Sequence, residues 1–222
     1  GSLTSGQFAR IMTDIYAEKN KIDTSNLSDA EMQDIRNDAV IEYGRKIYGE
    51  KVASIADDQA GIVAKTKALT EAFTQSHDGA SPSAEDAAKI EHDAKEWQKT
   101  EAFNETMLLE YARALEQAAI EDYRKQNNGK QPDENAMREI AQQAEWQARQ
   151  EIFNAALENI GLDAEGSDRE FFDSIKDSTE KREEAMRNND LAAYKKWTAD
   201  IMSQVRLYAS MKQQTASADH TG

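Results

Sequence analysis

Apolar residues recur three and four positions apart along most of the chain, which is the spacing of one face of an α-helix. The first such face predicts a helix over residues 5–20 and consists of Phe8, Ile11, Met12, Ile15 and Tyr16. The same spacing predicts further helices over about 28–49, 51–75, 84–127, 132–160, 167–187 and 191–211. Almost the whole chain is therefore predicted to be helical.

Residues at the predicted helix boundaries agree with this pattern. Ser28 and Glu31 have the spacing of a capping box, in which each side chain accepts a hydrogen bond from the backbone N–H of the other residue. Ser167 and Glu170 repeat that spacing and predict a second capping box. The third helix has few apolar residues around Asp57–Asp58, where a kink or a break is expected.

The segment 84–127 predicts one helix that is far longer than its neighbours. Its apolar positions form a seam with heptad-like spacing, and this seam becomes polar at Glu101 and Asn104. Either the helix bends there, or Thr100 caps a second helix. A continuous helix would extend for roughly 65 Å, so we expect it to link two bundles or to pack along a partner.

The clearest loop of the chain lies at 77–83, where Gly, Pro and Ser occur together, and we place a candidate domain boundary there. This boundary predicts an N-terminal helical subdomain over 3–76 and a C-terminal helical bundle over 84–214. Residues 215–222 are predicted to form a flexible tail.

The predicted fold class is all-α. The chain holds only 2 Pro and 10 Gly, and no segment alternates apolar and polar residues as a strand does. No pattern recurs at the spacing of about 30 to 45 residues that is typical of helical solenoids. We therefore expect an antiparallel bundle of seven to eight helices, either as one body or as two subdomains linked by the long central helix.

Charge and composition exclude several classes of partner. The net charge of −15 opposes binding to nucleic acids and to anionic membranes. No apolar run approaches the roughly 20 residues that cross a bilayer. The absence of cysteine fits a soluble protein that is cytoplasmic or is secreted without disulfides. The first two residues, Gly1 and Ser2, resemble a cloning remnant, so we expect the natural N-terminus to differ.

No catalytic, cofactor-binding or metal-binding motif is found. The three histidines, His77, His92 and His220, occur in no HExxH or Glu-x-x-His arrangement. The chain has neither a nucleophile motif nor a glycine-rich phosphate loop. We therefore predict no catalytic residue, metal or cofactor, although an enzyme whose site is dispersed over several helices stays open as an alternative.

One short motif suggests a family. The segment Trp97-Gln98-Lys99-Thr100-Glu101 matches Trp-x-x-x-Glu and resembles the signature of bacterial secreted effectors that act as exchange factors for Rho-type GTPases. The resemblance implies an all-helical domain of comparable size, in which Trp97 and Glu101 brace helices near a catalytic loop. The alternative is that Trp97 simply anchors the core.

The last predicted helix differs from the rest because its charge is positive. Lysines and arginines outnumber acids there, and aromatic residues lie among them, which predicts a surface for a partner or a membrane. The candidate interaction residues on this helix are Tyr194, Lys195, Lys196, Trp197 and Arg206. The alternative is that these cations, together with Lys212, neutralise an otherwise acidic bundle.

The sequence favours a non-enzymatic interaction or scaffold module, which we expect to be a segment of a larger bacterial or phage protein. Its partner would be a protein of unknown identity or a second copy of the chain. The alternatives are an effector domain acting on a host GTPase and an enzyme with a dispersed site.

Overall fold

The computed structural model describes the backbone of residues 4–221 and the side chains of residues 4–213. Nine α-helices and no strand occur in this part of the chain, which confirms the predicted all-α helical bundle. The helices are α1 (Ser5–Lys19), α2 (Asp29–Tyr48), α3 (Glu50–Ala56), α4 (Gln59–Ser76), α5 (Ala84–Gln126), α6 (Glu134–Ile160), α7 (Arg169–Ser174), α8 (Lys176–Arg187) and α9 (Leu191–Thr221).

Two short helices account for the difference from the predicted seven or eight. The expected break at Asp57–Asp58 is present, and it separates α3 from α4, whose first turn is capped by the Asp58 side chain. A second break at Ile175 separates α7 from α8. Helix α5 has no break, so the second helix expected to be capped by Thr100 does not form. Thr100 lies inside the continuous helix and donates its hydroxyl to the carbonyl of Glu96.

One of the two predicted capping boxes forms. At the start of α2, Ser28 Oγ accepts from the N–H of Glu31, and Glu31 Oε1 accepts from the N–H of Ser28. The predicted box between Ser167 and Glu170 is wrong, because α7 begins after Asp168 without a side-chain cap. The Asp168 carboxylate is instead buried and accepts hydrogen bonds from elsewhere in the chain.

The chain divides into two compact units, residues 1–114 and 115–222, and the division falls inside α5. The first unit contains α1 to α4 and most of α5, whereas the second contains the end of α5 and α6 to α9. The subdomains predicted from the loop at 77–83, over 3–76 and 84–214, stay predictions. Helix α9 continues to Thr221, so it includes most of the predicted tail; the side chains beyond Gln213 lie outside the described residues.

The buried face of α5 in the first unit is more polar than its sequence suggests. It runs through Ala94, Gln98, Ala102 and Thr106, which are four residues apart, and leaves the predicted seam residue Glu101 half-buried. The side chain of Gln98 donates to the carbonyl of Ile55 in α3 and accepts from the ammonium of Lys65 in α4. The Thr106 hydroxyl donates to the carbonyl of Ala102. These polar groups are buried because each has a partner.

Helices α2 and α5 run parallel and approach each other closely at Gly44. A Cβ added to Gly44 would overlap Thr106 Oγ1 and would lie 3.0 Å from Thr106 Cγ2 and 3.1 Å from Val52 Cγ1. One turn further along, the hydroxyl groups of Tyr43 and Tyr48 both donate to Glu110 Oε1, each at 2.6 Å. Burial and this hydrogen bond raise the pKa of Tyr43 to about 12, so the phenol stays a donor.

The second unit is built on the antiparallel pair α8 and α9, which packs against α6. Its apolar core is formed by Ile175, Ile201 and Val205, with several half-buried residues of α6 and α7 around them. Beside this core the buried guanidinium of Arg182 donates to Thr198 Oγ1 at 2.7 Å and to Tyr194 Oη at 2.5 Å. Burial lowers the pKa of Arg182, and aromatic rings and neutral acceptors surround its charge.

Two loops of the chain have the same sequence pattern and the same structure, 50 residues apart. Residues 77–83 and 127–133 both contain an Asp or Asn in the left-handed region, then Gly, and a Pro three residues later. In each loop the glycine N–H donates five residues back, at 2.9 and 2.8 Å. The helices that follow match at equal offsets, namely Ile90 with Ile140, Ala94 with Ala144 and Phe103-Asn104 with Phe153-Asn154. The spacing of 50 residues exceeds the 30 to 45 residues that are typical of helical solenoids.

Helix α1 packs through a face that is rotated from the predicted one, since Phe8, Met12 and Tyr16 of the predicted face are half-buried at its edge. Its buried residues are Ala9, Thr13 and Ala17, whereas Ile11 and Ile15 are 40% and 55% exposed. Small residues on the inner face let α1 lie close to its neighbours. Among the described residues, no helix has both the length and the apolar composition needed to cross a membrane.

The close approach of α2 and α5 gives a first prediction. We expect Gly44→Ala to lower the free energy of unfolding by about 1–3 kcal/mol, because the added methyl group meets two branched and fully buried side chains, Thr106 and Val52. The measurement is urea unfolding followed by circular dichroism. The control is Gly6→Ala in α1, where no atom lies within 4 Å of the new Cβ, and stability should stay equal or rise by up to about 1 kcal/mol. Equal stability of the two variants would contradict the close approach.

Candidate functional site

The Trp97–Glu101 motif lies in the middle of α5 and is held by its own hydrogen bond. Trp97 Nε1 donates to Glu101 Oε1 at 3.1 Å, one turn further along the same helix, and both side chains are half-buried. Gln98, within the motif, is buried and ties α5 to α3 and α4. Within this segment, Gln98 therefore joins helices of the first unit, whereas the hydrogen bond of Trp97 and Glu101 lies within α5.

The predicted interaction residues on α9 separate into a core residue and a charged surface. Tyr194 is only 1% exposed, and its ring packs against Trp146 with 4.2 Å between ring centroids. Its hydroxyl donates to Gln150 Oε1 at 2.7 Å. Tyr194 thus belongs to the interior of the second unit, because it lies on the face of α9 that packs against α6.

Lys195 neutralises an acid of α6. Its ammonium lies 3.0 Å from Glu145 Oε1, and Arg149 Nη2 donates to the same oxygen at 2.9 Å. Burial alone would raise the pKa of the Glu145 carboxyl, but the two cations hold it below its ordinary value. This arrangement fits the alternative in which the cations of α9 offset an acidic bundle.

The remaining candidates on α9 lie nearer the surface. Trp197 is half-buried, and the ammonium groups of Lys181 and Lys196 lie 4.7 and 4.8 Å from the centroid of its ring. Cation–π contacts at such distances are weakly stabilising when they are exposed. Arg206 is also half-buried. The structure therefore does not bring the five predicted residues together on one exposed surface.

A buried carboxylate, Asp168, was not predicted as a structural centre. It is 2% exposed and accepts from Lys212 Nζ at 2.7 Å, from Tyr208 Oη at 2.9 Å and from the N–H of Asp163 at 3.0 Å. The hydrogen bonds from Lys212, Asp163 and Tyr208 hold the pKa of Asp168 below its ordinary value. Asp168 thereby ties the loop before α7 to α9, and its partners Tyr208 and Lys212 are 40 and 44 residues away in the sequence.

A groove in the first unit is lined by α1, α2 and α5. Its volume is about 570 Å³, and it is open to solvent along one side. The apolar part is formed by Ala9, Phe103 and Met107, and the polar part by side chains with hydroxyl, amide or guanidinium groups. The polar lining residues are Ser5, Arg10, Gln33, Arg36 and Asn104.

The lining of this groove, called here the α1–α2–α5 groove, has a charge opposite to that of the chain. It contains Arg10 and Arg36 and no carboxylate. Arg36 Nη1 donates to Gln33 Oε1 at 2.8 Å, and Gln33 Nε2 in turn donates to Asn37 Oδ1 at 2.9 Å. These neutral partners orient the Arg36 guanidinium and leave its charge uncompensated.

The sequence gives no signal for these groove residues, except that Asn104 interrupts the predicted seam of α5. Because Asn104 follows Trp97 by two helical turns, the two residues lie on the same side of α5. Arg10 and Arg36 lie on different helices and become neighbours of the groove only through the packing of α1 on α2. The charge pattern of a single helix does not show that two arginines of different helices line the same groove.

A second, smaller groove lies in the second unit, on the hairpin of α5 and α6. Its volume is about 310 Å³, and its lining includes Leu115, Tyr123 and Ile140 together with the amide groups of Gln143 and Gln147. Within the described residues, no group of three or more His, Cys, Asp or Glu side chains is placed to hold a metal ion. Of the three histidines, His77 stacks on Phe73, and His220 lies outside the described side chains.

The buried Asp168 carboxylate gives a second prediction. We expect Asp168→Asn to be less stable than the parent chain at neutral pH, because it loses the charge that Lys212 neutralises. The folded-state pKa of Asp168 is lowered, so its contribution is complete above the ordinary value of 3.8 and is lost as the pH falls through the lower folded-state pKa. Urea midpoints measured between neutral and acidic pH should therefore converge for the two proteins at low pH.

The control for this prediction is Asp173→Asn, which removes one negative charge from an exposed position on α7. Its stability at neutral pH should stay within about 0.5 kcal/mol of the parent chain. A loss in Asp173→Asn as large as that in Asp168→Asn would show that net charge, and not the contacts of Asp168, determines the effect.

Comparison of the chain with protein-family models, with curated proteins and with solved structures finds no match.

Proposed function

We propose that the chain is a non-enzymatic protein–protein interaction module and that it binds a peptide segment of its partner in the α1–α2–α5 groove. The observation that carries this proposal is the groove itself, with an apolar side at Phe103 and Met107 and amide groups at Gln33 and Asn104. Apolar contact surface with a few well-placed polar groups is typical of binding sites.

The chemistry of the groove suits a peptide. The half-buried Phe103 and Met107 offer contact to apolar side chains, and a flexible thioether adapts to different shapes. The Asn104 amide can donate and accept hydrogen bonds, as the backbone of a bound peptide requires. The Gln33 amide keeps one N–H and one lone pair for this purpose, beside its bonds with Asn37 and Arg36. The volume of about 570 Å³ lies within the range of roughly 300–1,000 Å³ that is usual for ligand sites.

The internal repeat supports this reading of the groove. Phe153 on α6 is the counterpart of Phe103 on α5, and the guanidinium of Arg182 from α8 lies over its ring at 4.2 Å. In the second unit another helix therefore covers this position. In the first unit Phe103 lines an open groove, where a partner segment has access to it.

Two grooves on one chain fit a scaffold. The groove on the α5–α6 hairpin gives the second unit its own apolar surface, with Leu115 and Tyr123 on one helix and Ile140 on the other. Helix α1 adds Ile11 and Ile15 as exposed apolar residues. We propose that such a module works as a segment of a larger bacterial or phage protein.

A variant that fills the groove tests the proposal. Gly6 lines the groove in the first turn of α1, and a Cβ added there meets no atom within 4 Å. We therefore expect Gly6→Tyr to fold normally and to occupy the groove. Peptides selected from a random display library on the full chain should bind Gly6→Tyr at least about tenfold more weakly in fluorescence anisotropy, since a central contact site is lost.

The matched control is Ala88→Tyr, which places the same side chain at an exposed position of α5 outside the groove. Its affinity for the selected peptides should equal that of the parent chain. The proposal is contradicted if no selected peptide distinguishes Gly6→Tyr from Ala88→Tyr.

The second candidate function is an exchange factor for a Rho-type GTPase. The hydrogen bond between Trp97 and Glu101 favours it, because the resemblance implies a structural role for these two residues. If the chain has this activity, it speeds the release of a fluorescent nucleotide from a panel of Rho-type GTPases. The interaction-module proposal predicts no acceleration, and acceleration by the parent chain would replace it. An enzyme with a dispersed site is the third candidate and has no geometric support of its own.

A further inference from the structure

The α1–α2–α5 groove combines an apolar side with a positive charge, on a chain whose net charge is −15. We propose that the segment it binds is acidic, with at least one Asp or Glu side chain next to apolar residues. This inference rests on the proposed function, because it specifies the partner of the same groove.

The positive charges of Arg10 and Arg36 are available to a bound segment. No carboxylate forms an ion pair with Arg10 or Arg36 within the part of the chain that the structure describes. Other arginines of the chain are paired, as Arg45 shows by donating to both carboxylate oxygens of Asp57 at 2.6 and 2.9 Å. An unpaired guanidinium presents a planar fork of donors, which matches a carboxylate in two parallel hydrogen bonds.

The acids closest to Arg36 in the sequence of α2 have other partners. Asp34 and Asp38, on either side of Arg36 in α2, both lie within 3.4 Å of the ammonium of Lys99. Glu31, at the start of α2, is engaged in the capping box with Ser28. These acids of α2 therefore do not neutralise Arg36.

The N-terminus of α1 adds a positive electrostatic potential at the groove. The helix begins at Ser5, and its first turn lines the groove and contains no acidic residue. The positive end of the helix dipole therefore lies beside the two arginines, where it favours an anion. The apolar Phe103 and Met107 would contact the neighbouring side chains of the bound segment.

The net charge limits the kind of anion. A polyanion such as a nucleic acid would be repelled by the rest of the chain, whose charge is −15. A short peptide with a few carboxylates carries little charge outside the groove, so its repulsion is small compared with two charge-assisted contacts. An acidic segment of a protein is thus the occupant that fits both the groove and its surroundings.

The experiment selects peptides from a random display library on the full parent chain and keeps those that lose binding in Gly6→Tyr but not in Ala88→Tyr. We expect these groove-dependent peptides to be enriched in Asp and Glu beside apolar residues. Their affinity should fall by about tenfold or more in the double variant Arg10→Gln/Arg36→Gln, because contacts with charged groups are lost. The control Arg138→Gln/Arg187→Gln changes the net charge equally at exposed positions of the second unit and should keep full affinity.

A charge reversal distinguishes the loss of specific charge contacts from a general loss of the folded groove. The same selection on Arg10→Glu/Arg36→Glu should enrich Lys and Arg at the positions where the parent chain enriches Asp and Glu. Groove-dependent peptides without acidic enrichment, or peptides insensitive to both arginine variants, would overturn the acidic inference and leave the interaction module standing. The absence of any groove-dependent peptide would overturn the interaction module itself.

Discussion

The contact between α2 and α5 at Gly44 is the constraint on which the first unit depends. Glycine is required there because Thr106 and Val52 occupy the space that a Cβ would take. Successive residues of a helix are rotated by about 100°, so fixing Thr106 against α2 turns Met107 and Phe103 to a neighbouring side of α5. That side is the one that forms the groove with α1. The packing of two helices and the candidate site are therefore set by the same contact.

Much of the helical architecture follows from the sequence, because apolar spacing and end signals act locally. The break at Asp57–Asp58 and the box at Ser28 are both found where they are predicted. Where local reasoning fails, a distant hydrogen-bond partner decides the outcome. Gln98 is buried because α3 and α4 satisfy its amide. At the start of α7 the box predicted at Ser167 and Glu170 does not form, and the neighbouring carboxylate of Asp168 is held by Tyr208 and Lys212.

The candidate site is less predictable than the fold, since it depends on which charges remain unpaired after folding. On α9 the cations in the sequence predict an interaction surface, yet Lys195 forms an ion pair with Glu145 and Lys212 forms one with Asp168. On α1 and α2, single arginines give no pattern, yet they line one groove whose nearby acids on α2 have other partners. Composition indicates that the chain is acidic, but only the packing shows where a positive surface survives.

The most direct test of the account is an NMR titration of the isotope-labelled full chain with a selected groove-dependent peptide. The account predicts that the largest shifts in backbone amide signals occur in Ser5–Arg10 of α1, Gln33–Arg36 of α2 and Phe103–Met107 of α5. Shifts concentrated instead in Lys195–Trp197 of α9, with the groove signals unchanged, would contradict it.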